Sequence, residues 1–152
     1  MSFLTRFMPV ISWGIKLLLR LGVRLTIFGP MMLLTVRGRK TGKPRSVPVD
    51  LHECNGRRFL IATHGEGNWV FNLRVAGEGI LSLGRSRQAF TAWELTPEVA
   101  GPVIKDVLGP LLASQGVRGS VLRQHLGVTS NSSLNDFINV ARPCPWLCSE
   151  LG

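Results

Sequence analysis

Residues 3–28 are almost continuously apolar, yet Lys16, Arg20 and Arg24 recur within them every four positions. That spacing puts the three cations on one face of a helix and Leu17, Leu18, Leu21 and Leu25 on the rest of the cylinder. Gly29-Pro30 is expected to end the helix. Beyond it the period changes from helical to alternating. Segments 31–36, 46–51, 58–63, 80–83 and 88–95 read as strands, the second with Val47, Val49 and Leu51 on one face and the third entered through the turn signal Asn55-Gly56. Between the third and fourth strands, 64–79 reads as a loop followed by one or two helical turns. Thr96-Pro97-Glu98 is a helix start, and Val99, Val103, Val107, Leu108 and Leu111 continue at helical spacing until Gly109-Pro110, where a break or kink is expected. A short helix is predicted over 118–126, and a sixth strand over 136–142, stopped by Pro143. Five to six short strands with tight turns and peripheral helices predict a mainly β, α+β fold built on a small antiparallel barrel. Residues 1–30 form the amphipathic helical segment and 31–152 the barrel domain, with no linker long enough to separate further domains.

Charge changes this picture because it is uneven. Of a formal net charge of +9, residues 1–58 carry all: eleven Lys or Arg stand against Asp50 and Glu53, while the remainder holds seven of each sign. A basic excess confined to one region implies an anionic partner, such as a phosphorylated cofactor, lipid headgroups or nucleic acid. Nucleic acid is set aside, since no aromatic residues interleave with the basic loop and no nucleic-acid motif occurs. In the N-terminal segment, three cations within nine residues argue against a spanning helix, and no small-residue cleavage site follows it. It reads either as a helix lying on an anionic membrane surface or as one packed on its own domain with a basic solvent face. Cys54, Cys144 and Cys148 make no disulfide framework, and Cys144 and Cys148 lack a second ligand pair for zinc. The thiols suit a reducing cytoplasm, so the expected location is cytoplasmic, peripheral to the inner face of the cell membrane if the helix docks there, with no metal.

The densest chemistry lies in 33–48. A strand-like run ends in a turn bearing Arg37, Arg39, Lys40, Lys43 and Arg45, with Gly38 and Gly42 freeing the backbone and no acid among them. Five cations on one turn repel one another unless an anion joins them, and glycine lets backbone N–H groups approach that anion as well. A solvated basic hairpin has the same composition; the concentration of basic charge in this half of the chain favours a phosphate or carboxylate grip. A P-loop is excluded, because Gly38-x-x-x-Gly42-Lys43 is one residue short and Pro44 stands where Ser or Thr is needed.

Gly38-Arg39-Lys40-Thr41-Gly42, then Arg45 and Pro48, then Ala62-Thr63, then Trp69-x-x-Asn72-Leu73, occur in the order and strand context of one family. On these pieces, which lie in 31–95, the chain resembles the deazaflavin-dependent nitroreductase and quinone reductase family, whose members are split β-barrels of the FMN-binding type. Phe137 to Pro143 looks like that family's last strand. The resemblance implies 8-hydroxy-5-deazaflavin (coenzyme F-420) as cofactor, with FMN the alternative. By the same resemblance, Arg39, Lys40, Thr41, Gly42 and Arg45 would hold its phosphate and oligoglutamate carboxylates. Pro48, Ala62 and Thr63 would line its flat ring, and Trp69 and Asn72 would close the pocket. The coenzyme would carry the chemistry, passing a hydride to a quinone, a nitroaromatic or an activated alkene. The N-terminal helix favours a lipid-soluble quinone as acceptor, and the assembly expected is a monomer or homodimer. The chain contains no tyrosine, so a protein proton donor must be another group; His64, whose ordinary pKa suits proton transfer near neutrality, is the catalytic candidate. The rival reading is a non-catalytic split-barrel module that binds a flavin, haem or lipid.

Overall fold

The computed structural model describes residues 3–26, 30–62, 67–142 and 146–150, with the backbone alone for 3–10 and 146–150. Helix α1 (Phe3–Arg20) leads into strands β1 (Met31–Arg37), β2 (Pro44–Cys54) and β3 (Arg57–Ile61). Helix α2 (Asn68–Ala76) then precedes β4 (Glu78–Leu83) and β5 (Ser86–Glu94). Helices α3 (Pro97–Ala113), α4 (Val117–Leu126) and α5 (Leu134–Ala141) follow, and β6 (Trp146–Glu150) comes last. All six strands pair antiparallel in a closed ring, β1-β2-β3-β6-β5-β4. This is the small antiparallel barrel with peripheral helices that the alternation predicts.

The two faces of each strand go to different cores. Leu34, Val36, Val49, Leu60, Leu81 and Phe90 point into the barrel, and α2 inserts Leu73 among them. Full burial of each such leucine contributes roughly 2 kcal/mol. On the outer surface of β1, Met31 and Leu33 are covered by Leu19 of α1. Outside β3, Ile61 meets the apolar faces of α3, α4 and α5, among them Ile104, Leu108, Leu122 and Phe137. The β2–β3 turn is Asn55-Gly56, both with positive φ (52° and 74°), as a tight hairpin turn requires.

Three sequence expectations are corrected. The N-terminal helix stops at Arg20 rather than at Gly29. Gly22, at φ 83°, closes it: Gly22 N–H donates to Leu19 O and Val23 N–H to Leu18 O, a Schellman ending. Its C-terminus is then fastened to the β4–β5 turn, where Gly84 N–H donates to Leu19 O at 2.8 Å. A Cβ built on Gly84 would stand 3.0 Å from the Gly22 Cα, so the approach favours glycine at 84, while the positive φ of Gly22 favours glycine there. Second, α3 runs unbroken through Gly109-Pro110. Pro102 and Pro110 lie on its exposed side, where the carbonyls they leave unbonded face water, while Ala100, Ile104, Leu108 and Leu112 keep the buried stripe continuous. Third, 136–142 is not a strand. Phe137, Val140 and Ala141 are buried at i, i+3 and i+4, and Ser133 and Asp136 form a capping box that starts α5. The sixth strand lies beyond Pro143 and closes the ring between β3 and β5.

Candidate functional site

The loop from Gly38 to Lys43 joins β1 to β2 and is held by its own backbone. Gly38 N–H donates to Lys43 O and Gly42 N–H to Gly38 O, both at 2.8 Å, and Lys43 N–H donates to Thr41 Oγ1 at 3.3 Å. Arg39 is then tied to α2. Its backbone N–H and its Nη1 both donate to Asn72 Oδ1, at 3.1 and 2.8 Å, and Nη1 also reaches Asn68 O at 3.4 Å. Asn72 is buried in spite of its amide, which these two hydrogen bonds, the one from Nη1 charge-assisted, explain. The Arg39 guanidinium also stands 5.2 Å from the centre of the Phe71 ring, and Arg74 stands 5.3 Å from the same ring. Arg74 is fixed in turn by a two-pronged pair with Glu94, 2.6 Å on each prong.

Between this loop and the start of α2 lies a cleft of about 610 Å³. Lys40, Thr41, Arg45, Trp69 and Asn72 are on its walls, together with Arg39. Lys40 and Arg45 are exposed and make no hydrogen bond or ion pair among the described residues. Gly67 starts α2 without a side-chain cap, and the first turn carries no acid, so the positive end of the helix dipole faces the same space. Two cations without a partner among the described residues thus stand beside the start of α2 and the Trp69 side chain.

The structure therefore brings together Arg39, Lys40, Thr41, Arg45, Trp69 and Asn72. Gly42 lines a neighbouring cleft instead, and Pro48 and Ala62 line neither. Thr63 and His64 lie outside the described residues, as do Cys144 and the side chain of Cys148. Sequence reasoning missed Asn68, Phe71 and Arg74. Asn68 and Asn72 are one helical turn apart, so both reach the Arg39 side of α2; that spacing was the available signal. It also missed His52, which is buried on β2 with Nε2 lacking a hydrogen-bond partner among the described residues; burial pushes its pKa down to about 4. His52 is thus neutral at physiological pH and stands apart from both clefts.

The family model for F420H(2)-dependent quinone reductases matches residues 18–102. No curated protein matches the chain. A solved structure of a candidate 5-nitroimidazole antibiotic resistance protein from Bacteroides thetaiotaomicron shares the fold at TM-score 0.50 and 12% identity, over 80% of this chain and 72% of that one. An F420-H2 dependent reductase, FDR-A, is 21% identical at TM-score 0.44, over 79% and 93%. A domain-swapped dimer is 19% identical at TM-score 0.45, over 93% and 98%.

Proposed function

The chain belongs to the F420H(2)-dependent quinone reductase family, an oxidoreductase family that uses coenzyme F420, and we propose that its coenzyme site is the cleft between the basic loop and α2. The residues present fit the coenzyme's anionic part, because Lys40 and Arg45 lack partners among the described residues and the α2 N-terminus adds backbone donors. That convergence carries the reading. Lys40 and Arg45 hold phosphate or carboxylate, and the Thr41 hydroxyl stands between them as a further polar group. Arg39 is not a free grip: Asn72 and Phe71 keep it as a fixed wall. Trp69 offers a flat apolar side and keeps water from the inner end of the cleft. When bound, the reduced deazaflavin supplies a hydride to a quinone or nitro acceptor. His64 we assign as the proton donor, on the reasoning given by the sequence.

The acceptor we propose is a lipid-soluble quinone, met at an anionic membrane surface on which α1 rests. Trp13, Leu17 and Leu21, spaced four apart, face away from the barrel and are exposed, Trp13 by 65% and Leu21 by 70%. Leu19, on the opposite side, is the residue that packs. Lys16 and Arg20 lie between those two stripes. A helix with a second apolar stripe bordered by cations suits the headgroup boundary better than plain solvent. No helix among the described residues is long and apolar enough to cross a membrane.

Titration with oxidised F420, followed by its absorbance, tests the site. Lys40→Ala and Arg45→Ala are each expected to weaken binding by about tenfold, and added salt to weaken the wild type further. Binding of F420 equal to wild type in both variants would place the anion site elsewhere. Tighter binding of FMN than of F420 would replace the coenzyme while keeping the cleft.

A further inference from the structure

A second cleft, of about 800 Å³, opens on the other side of the Gly38–Arg39 ridge. It shares Val36, Gly38 and Arg39 with the first cleft, but Lys40, Arg45 and Trp69 are absent from its walls. Its floor crosses three strands. Thr35 pairs with Ile80 and Ile80 with Ala89, while their neighbours Leu34, Val36 and Leu81 are in the barrel core, so this row faces outward. Ile80, Ala89 and Val75 make the floor apolar.

Arginines stand at opposite ends of the row. Arg37 is two residues beyond Thr35 toward the basic loop, and Arg87 is two residues before Ala89 in the other direction. They are offset by about 13 Å along the strands, from four residues at the ordinary rise. Both are exposed, and neither makes a hydrogen bond or ion pair among the described residues; Glu78 lines the same cleft without pairing with either. A bare phosphate would leave the apolar floor uncovered, and a neutral hydrocarbon would leave the guanidinium groups unmatched. An elongated ligand with an apolar body and an acidic group satisfies both.

We propose that this cleft binds an amphipathic anion, an apolar chain or ring system bearing a carboxylate or phosphate, as a site separate from the coenzyme cleft. The body lies over Ile80, Ala89 and Val75, and the acid is taken by Arg37 or Arg87. The probes are dodecanoate, dodecyl phosphate and dodecanol, kept monomeric and titrated calorimetrically into the full chain. Carbon-13 methyl spectra of Ala89 and Ile80 report where they bind. Dodecanoate and dodecyl phosphate are expected to bind and to shift both methyl signals, with dodecanol at least tenfold weaker. The Arg37→Ala/Arg87→Ala double variant is expected to weaken the acids by about tenfold. Lys40→Ala is expected to leave them unchanged, and Arg87→Ala to leave F420 binding unchanged. That pair of results separates this site from the coenzyme reading, so either can fail alone. Equal binding of dodecanol and dodecanoate would overturn the proposal. So would wild-type affinity in the Arg37→Ala/Arg87→Ala double variant, or binding lost in Trp13→Ser without Ala89 shifts, which would assign the amphiphile to α1. Binding of anionic vesicles but not of monomeric dodecanoate or dodecyl phosphate would overturn it as well, by making the ligand a bilayer.

Discussion

Asn72 has one side-chain oxygen, and Arg39 occupies it twice, through the backbone and through the guanidinium. The basic loop is therefore tied to α2 through one neutral amide. Asn72→Ala removes both contacts and leaves the Arg39 N–H without its partner, at an expected cost of about 1–3 kcal/mol. The loop should loosen and F420 affinity fall with it. Asn72→Asp keeps the shape and both acceptor contacts, so thermal stability should stay near wild type, but the added negative charge should still weaken F420. Thermal melts and F420 titrations of the two variants separate the effects; equal F420 affinity in Asn72→Ala and wild type would show that the tie is irrelevant to the site. His64 belongs to the same scale. If it delivers the proton, His64→Ala should lower turnover on menadione by roughly 10²-fold with F420 affinity intact, the pattern of general-acid loss. Unchanged single-turnover oxidation rates would remove it from the mechanism.

At the scale of elements, the sequence was most legible where one period ran unbroken. In β2 alternation marks Val47, Val49 and Leu51 as one face, the face that turns to the barrel core, and the Asn55-Gly56 turn fixes the hairpin that follows. It was least legible where a short apolar run fits two periods. Phe137 to Ala141 has five residues, four of them apolar, and reads as a strand; Ser133 and Asp136, three residues apart just before it, were the decisive helix signal. The end of α1 was hidden for a different reason, since the turn at Gly22 packs against Gly84, sixty-two positions away. The basic loop and most of the cleft's cations were readable because glycines and charges cluster in sequence. The Phe71–Arg74–Glu94 support was not, because β5 supplies its acid from twenty residues downstream. The same scale carries the prediction for α1. Flotation with liposomes should show binding that needs anionic lipid and is reversed by salt, and Trp13→Ser with Leu21→Ser should abolish it. Retention of binding in that double variant would mean that the exposed stripe is not the contact; resistance to both salt and alkaline carbonate would indicate an integral span.

For the molecule as a whole, the excess charge gathers on α1 and the 37–45 loop, while the barrel and its outer helices are held by apolar contacts. One buried titratable group sits within that framework. His52 is 6% exposed, its Nε2 has no hydrogen-bond partner among the described residues, and burial lowers its pKa from 6.5 to about 4. The unfolded chain therefore takes up a proton as pH falls through 6.5, whereas the folded chain resists until about 4. The stabilisation this gives is fully present above pH 6.5, declines as pH falls and is gone below the folded value. A shift of that size corresponds to about 3 kcal/mol across the whole window. His52→Phe removes the titration and fills the space with an aromatic ring opposite Phe59, its partner across β2 and β3. Urea unfolding at pH 7.5 and 4.5 measures the consequence. Wild type should lose roughly 2–3 kcal/mol more between those two pH values than His52→Phe does. At pH 7.5 the variant should be at least as stable as wild type, since it no longer buries an unbonded nitrogen. Equal losses in the two proteins would mean that His52 charges inside the fold without cost, and the acid sensitivity would then have to come from the carboxylates.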